Sequence, residues 1–204
     1  MRWIRILAAA LAAAVLVAPA RAAPSWHFAE SENGMRAASI WAQGRTPSGQ
    51  VPMKLEVRCR PGPDGAATIA LAVRGAQDMR TFSFEDFEGA DAPAARRKLA
   101  TIRVVALRRD VSVTTSFAGG YQEDGFFAFT LSAPLVGRNE VKWITDAIIL
   151  GAVLVVVTVQ DPRDSRRRIH AQFQTRGATA AVTNTMDGCL AAAVANGAER
   201  PQTR

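Results

Sequence analysis

Residues 51–74, VPMKLEVRCRPGPDGAATIALAVR, contain two strand patterns joined by a turn. In the first pattern apolar side chains alternate with charged ones, and the apolar positions are Met53, Leu55, Val57 and Cys59. The second pattern repeats the alternation through Ile69, Leu71 and Val73. A period of two predicts strands with one buried face. The connecting PGPDG supplies turn dihedrals over few residues, so we expect an antiparallel hairpin.

Further short segments between residues 26 and 132 also have the composition of strands. They are Trp26–Glu30, Arg36–Gln43, Arg80–Glu85, Thr101–Leu107, Val111–Phe117 and Phe126–Ser132. Turn residues separate them, most clearly from Gly119-Gly120 through Asp124-Gly125. A twisted antiparallel sheet or a sandwich accounts for these patterns.

The last third of the chain combines helices with strands. The expected order is a helix over Arg138–Leu150, a fully buried central strand over Val153–Val157, a return strand over Arg168–Phe173, and a terminal helix with Val182, Met186, Cys189, Leu190 and Ala193 on one face. Asn139 is a suitable N-cap for the first helix, and Gly151 is a stop signal. The predicted fold is therefore α+β, with an antiparallel sheet or sandwich-like core and a helix–strand–strand–helix C-terminal part.

A membrane span is the alternative for part of this region, because Trp143–Val159 is mostly apolar. Asp146 inside the segment and the break at Gly151 argue against it, since an ionisable side chain is costly within a bilayer.

The first 22 residues have the three parts of a secretory signal peptide. A basic start with Arg2 and Arg5 precedes an apolar run from Ile6 to Val17, and small residues lead to an expected cleavage after Ala22. An uncleaved anchor is the alternative, but the run is shorter than the roughly 20 residues that cross a bilayer as a helix. We therefore expect a periplasmic protein, with secretion into the medium as a further possibility.

Cleavage would leave residues 23–198 as a single globular α+β domain and residues 199–204 as a flexible tail. The signal peptide takes three arginines with it, so 22 basic and 18 acidic side chains remain and the net charge is +4. The basic clusters at Arg96–Lys98 and Arg166–Arg168 lack interleaved aromatic residues, so nucleic acid is not an expected partner.

Both cysteines, Cys59 and Cys189, lie on apolar faces of their predicted elements. Disulfides persist outside the cytoplasm, and two cysteines allow one intramolecular pairing. We predict a disulfide between the strand and the terminal helix; two separate buried thiols are the alternative.

An acidic segment and a single tyrosine are the candidate interaction residues. Glu85, Asp86, Glu88 and Asp91 are interleaved with phenylalanines, and Tyr121 is expected near a hairpin tip. Such a group can meet a cationic partner, although its spacing is not that of a calcium loop. The alternative is a solvated loop that its phenylalanines anchor to the sheet.

The sequence lacks the common motifs for catalysis and cofactor binding. The chain has no Gly-x-Ser-x-Gly elbow, no glycine-rich phosphate loop, no Cys-x-x-Cys and no His-Glu-x-x-His. Its histidines, His27 and His170, are interpreted as surface residues. We therefore expect a protein that is not an enzyme and that needs neither a cofactor nor a metal.

Several separated features are similar to small periplasmic proteins of the TagO/VasI type. They are Trp26 just after the cleavage site, the strand Leu55–Cys59, the stretch Phe173–Gly177, and the helix segment Met186–Cys189. The resemblance spans most of the mature chain. It implies an accessory role beside type VI secretion, through protein contacts in the cell envelope.

Three functions are compatible with the sequence. The first is an exported accessory or interaction protein of the bacterial envelope with a protein partner. The second is a periplasmic module that binds a peptide, glycan or lipid, which would require a deep apolar pocket. The third is an enzyme in which carboxylates from Glu85 to Asp91 converge with His27 or His170.

Overall fold

The computed structural model describes residues 25–62, 65–106, 110–135 and 139–198. The strands are β1 (His27–Glu30), β2 (Arg36–Thr46), β3 (Gly49–Arg60), β4 (Ala66–Arg74), β5 (Ala100–Ala106), β6 (Val111–Thr115), β7 (Ala118–Tyr121), β8 (Phe126–Pro134), β9 (Ala152–Gln160) and β10 (Arg168–Gln174), and the helices are α1 (Glu140–Ile149) and α2 (Ala178–Ala198). The α+β class is confirmed. The expected signal peptide, its cleavage after Ala22 and the tail 199–204 lie outside the described residues.

The strands form one curled antiparallel sheet and not a sandwich. Its order is β6, β5, β9, β10, β2, β3, β4, β8, β7, and β1 pairs with β2 beyond the end of β10. Strand β6 ends at Thr115 and β7 begins at Ala118. The first and last strands of the order are therefore joined by only two residues, Ser116 and Phe117.

The hairpin predicted over residues 51–74 is formed by β3 and β4, which lie in the interior of this sheet. Leu55 lies opposite Leu71, and Val57 lies opposite Ile69. All four side chains are at most 2 % exposed. They form part of the inner face, against which the helices pack.

Strand β9 has the predicted central position, between β5 and β10, but it is not fully buried. Val155, Val157 and Val159 are completely buried, whereas Val153 is 44 % exposed. Leu154 and Val156 lie on the outer face and are only partly buried, because the described residues provide no second layer there, and Val153 lies at a register shift in the pairing with β5. The prediction of burial on both faces was wrong.

Helix α1 begins where its N-cap was predicted. The side-chain oxygen of Asn139 accepts a hydrogen bond from the backbone N–H of Lys142 at 2.9 Å, which satisfies one free donor of the first turn. The helix buries Val141, Ile144 and Ile148. No helix in the described part of the chain is long and apolar enough to cross a membrane.

Two local predictions were wrong. Residues Arg80–Glu85 form no strand; the segment contains part of a 3₁₀ helix, Phe84–Phe87, and crosses the end of the sheet. Gly119 and Gly120 belong to β7 and not to a turn. A Cβ at Gly119 would lie 2.3 Å from the ring of Phe127, so this glycine permits close packing within the sheet.

Candidate functional site

The acidic segment predicted as an interaction loop is a structured cover on one part of the sheet. Phe82, Phe84 and Phe87 are at most 3 % exposed. Their rings join a cluster with Phe127 and Phe129, and the centroids of Phe84 and Phe127 are 5.1 Å apart. These contacts agree with the anchored-loop alternative.

A buried carboxylate fixes this segment to the β9–β10 turn. Asp161 is 3 % exposed and accepts hydrogen bonds from the backbone N–H groups of Ser83, Arg163 and Asp164 at 2.8, 2.8 and 3.1 Å. A carboxylate that accepts several backbone N–H groups compensates for its own burial. The acidic segment is therefore fixed both by its buried phenylalanine rings and by the hydrogen bond from Ser83 to Asp161.

Most charges of the acidic segment already have partners. Arg163 donates two hydrogen bonds to Asp86, at 2.7 and 2.8 Å, and its guanidinium lies 3.2 Å from Glu85. Its hydrogen bonds with Asp86 raise the pKa of Arg163 above the usual arginine range. Asp91 pairs with Arg96 at 2.9 Å. Arg163 therefore pairs with both Asp86 and Glu85, whereas the Asp91–Arg96 pair is exposed to solvent.

Glu85 and Glu88 lie near Tyr121, and we call these three residues the Tyr121 surface. Tyr121 is 39 % exposed, with its ring edge against Phe127 at 5.0 Å between centroids. Partial burial raises the pKa of the Tyr121 phenol, and the nearby negative charges of Glu85 and Glu88 raise it further. Glu88 is placed here by a bridge to Gly119 in β7.

An open groove lies between strand β1 and helix α2 on the other side of the molecule. Its lining residues are Phe28, Glu30, Arg36, Asn184, Asp187 and Gly188, and its volume is about 300 Å³. We call it the β1–α2 groove. Phe28 is 41 % exposed within it, so the groove presents an aromatic ring beside charged groups.

Arg36 forms the floor of the β1–α2 groove. Its Nε lies 3.2 Å from a carboxylate oxygen of Glu30, and its Nη1 donates to the carbonyl of Asn184 at 3.3 Å. A Cβ at Gly188 would lie 1.3 Å from Nη1 of Arg36. Only glycine at position 188 therefore allows the guanidinium to pass against the helix.

The expected disulfide lies beside this groove. Cys59 and Cys189 are bonded, with their Cα atoms 6.0 Å apart. Cys59 is the cross-strand neighbour of Arg36, and Cys189 follows Gly188. The bridge holds α2 against β3, so the β1–α2 groove is formed before any partner binds.

A second cleft separates α1 from α2. Its volume is about 200 Å³, and its walls include Leu135, Lys142, Asp146, Ile149, Met186 and Asp187. Lys142 and Asp146 form an ion pair at 3.2 Å across one helical turn. Small-molecule sites usually enclose about 300–1,000 Å³, so this cleft is below the usual size.

The histidines remain apart from the acidic segment. His170 contacts Thr158 and Gln172 at 3.1 Å each, and His27 lies in the exposed strand β1. Among the described residues, no group of three His, Cys, Asp or Glu side chains is arranged to hold a metal ion.

Sequence reasoning missed Arg36, Asp187 and Gly188 as candidate site residues. One signal was present: a glycine in the interior of a helix costs about 1 kcal/mol relative to alanine, so Gly188 indicates a close approach. The approaching group comes from residue 36, which no local pattern could show.

No protein-family model matches the chain, and neither a curated protein nor a solved structure matches it.

Proposed function

We propose that this protein is an exported, non-enzymatic interaction protein of the bacterial cell envelope, which acts through contact with a protein partner. The observation that carries this proposal is the β1–α2 groove, an open surface with an aromatic ring, charged groups and an exposed strand edge. Protein interfaces combine such aromatic anchors with a polar surround. The buried disulfide supports export, because disulfides persist outside the cytoplasm.

A periplasmic module that binds a small peptide, glycan or lipid is the second candidate. The cleft between α1 and α2 favours it, since Lys142 and Asp187 lie there beside the apolar Leu135 and Met186. Its small volume makes it the weaker candidate. The resemblance to TagO/VasI-type proteins suggests a finer form of the first proposal, an accessory role beside type VI secretion.

Cross-linking in living cells tests the proposed function. A photoreactive residue replaces Phe28, Tyr121 or the control Arg166, whose side chain is 92 % exposed and outside both surfaces. We expect one envelope protein, captured in stoichiometric amount from position 28 or 121 and not from position 166. Capture of no protein above background at all three positions would contradict the proposal and favour the small-ligand candidate.

Fractionation tests the location independently. We expect the protein in the osmotic-shock fraction with its N terminus at Ala23 and both thiols blocked to alkylation. Retention in the cytoplasm at full length would exclude the export part of the proposal. Deletion of the gene, with secretion of a type VI substrate as readout, tests the finer secretion role.

A further inference from the structure

Strand β1 has an unused edge. One edge pairs with β2, where Phe28 lies opposite Ala38 and Glu30 lies opposite Arg36. In the described ranges no strand pairs with the other edge, and all four residues of β1 are exposed. A strand with a free edge presents a row of N–H and C=O groups to any extended chain.

The free edge and the β1–α2 groove lie side by side. Phe28 and Glu30 are two residues apart, so both point to the same face of the sheet. This is the face that α2 covers, since Ala38 opposite Phe28 is fully buried on it. A strand added to β1 would place two alternate side chains in the groove, about 7 Å apart.

The charges of the groove select one kind of side chain. The guanidinium of Arg36 forms an ion pair with Glu30 and donates a hydrogen bond to the Asn184 carbonyl. The side chain of Asp187 has no ion pair or hydrogen bond within the described part of the chain. The carboxylates of Glu30 and Asp187 and the single guanidinium of Arg36 give the groove a net negative charge. A negative groove complements a lysine or arginine side chain.

We propose that β1 accepts an extended segment of a partner protein as an additional strand. The segment carries an apolar side chain against Phe28 and a basic side chain two residues away, near Glu30 and Asp187. This inference rests on the proposed function, and it specifies the class of partner. The disulfide fixes α2 at the groove, so the partner segment orders against a surface that is already in place.

Selection from a phage-displayed library of random eight-residue peptides, with the purified oxidised protein as bait, tests the proposal. We expect enriched peptides to share an apolar and a basic residue separated by one position. The best peptide is then synthesised in two N-methylated forms, one methylated at the odd residues and the other at the even residues. An added strand directs alternate N–H groups to β1, so one form should lose binding and the other should retain it.

Two matched pairs of variants locate the site. Phe28→Ser should weaken peptide binding about five-fold, because a ring that is 41 % exposed has under half of its burial free energy left to gain. The control Tyr121→Ser removes a ring of similar exposure and should leave binding unchanged. Asp187→Asn should weaken basic peptides about three-fold and leave peptides with glutamine at that position unchanged, while Glu88→Gln should affect neither.

Several outcomes would overturn the inference. They are no enrichment, equal binding of both N-methylated forms, and unchanged binding to Phe28→Ser. A dimer in sedimentation that Phe28→Ser dissociates would assign the edge to a second copy of this chain instead. If an envelope protein is captured from position 121 but not from position 28, and no peptide is enriched, the proposed function stands and this inference fails. If peptides bind as expected but no envelope protein is captured at any position, this inference stands and the proposed function fails.

Discussion

Loss of the Cys59–Cys189 disulfide should remove a large part of the stability of this protein. The bridge connects β3 to α2 across a sequence separation of 130 residues. On the chain-entropy model, a loop of this length restricts the unfolded chain by about 5 kcal/mol at 25 °C. The total stability of a domain is about 5–15 kcal/mol, so the bridge contributes a third or more of it.

Urea unfolding of the oxidised and the reduced protein measures this contribution. Reduction keeps both sulfur atoms in the core, so the comparison contains no cavity effect. With a urea m-value of about 2 kcal/mol/M, the midpoint should fall by about 2.5 M on reduction. The double variant Cys59→Ala/Cys189→Ala is the control, because a reductant should not change its midpoint.

Two results would refute this reasoning. The first is a reduced protein whose free energy of unfolding is within about 1 kcal/mol of the oxidised value, since the model requires about 5. The second is uptake of two alkyl groups by the native protein without reductant.

Three further predictions concern single contacts. Gly188→Ala places a Cβ 1.3 Å from Nη1 of Arg36, so the guanidinium must move and lose its contacts with Glu30 and the Asn184 carbonyl. The change should therefore stabilise the protein by less than the helix-propensity gain of about 1 kcal/mol that it brings in an Arg36→Ala background, and a double-mutant cycle by urea unfolding measures the difference; equal effects in both backgrounds would contradict the contact. Asp161→Asn replaces one carboxylate oxygen by an N–H donor that faces a backbone N–H, so the free energy of unfolding should fall by about 2 kcal/mol. An unchanged midpoint in urea unfolding would contradict the hydrogen bonds described for Asp161. Tyr121 is the single tyrosine, so ultraviolet titration of phenolate should give its pKa, which we expect above the ordinary value of about 10. Glu88→Gln should lower this pKa, because it removes a nearby negative charge. Since the pKa is raised in the folded state, the contribution of the neutral phenol to folding stability is present below about pH 10 and is lost as the pH rises through the folded pKa.

Local patterns in the sequence were sufficient for the central hairpin, for α1 and for the disulfide. The alternation through Leu55 and Val57 depends only on which face of a strand is buried, and Asn139 caps α1 within its own turn. Cys59 and Cys189 could be paired because each apolar face was visible in its own element and only one pairing existed.

The acidic segment shows why other elements could not be predicted. Phe82 and Phe84 have the spacing of a strand, and both are buried as a strand would bury them. However, backbone N–H groups here bond to Asp161 and to nearby carbonyls, so the segment forms a 3₁₀ helix. The competing hydrogen-bond acceptor lies 78 residues away along the chain.

The β1–α2 groove depends on the same kind of distant contact. Arg36 and Asn184 are 148 residues apart in the sequence. Neither residue has a local pattern that indicates a site, since the groove exists only after the last helix packs beside the first strands.

The order in which the two halves of the disulfide are synthesised has a consequence for maturation. Translation at about 5–20 residues per second leaves an interval on the order of 10 seconds between Cys59 and Cys189. During that time the Cys59 thiol has no partner within its own chain, and it can attack the disulfide of another molecule, which forms a mixed disulfide and releases the other sulfur as a thiolate. Oxidation to the correct bridge is therefore a late event, and a chain that ends before residue 189 would keep a reactive thiol at the place where α2 should lie.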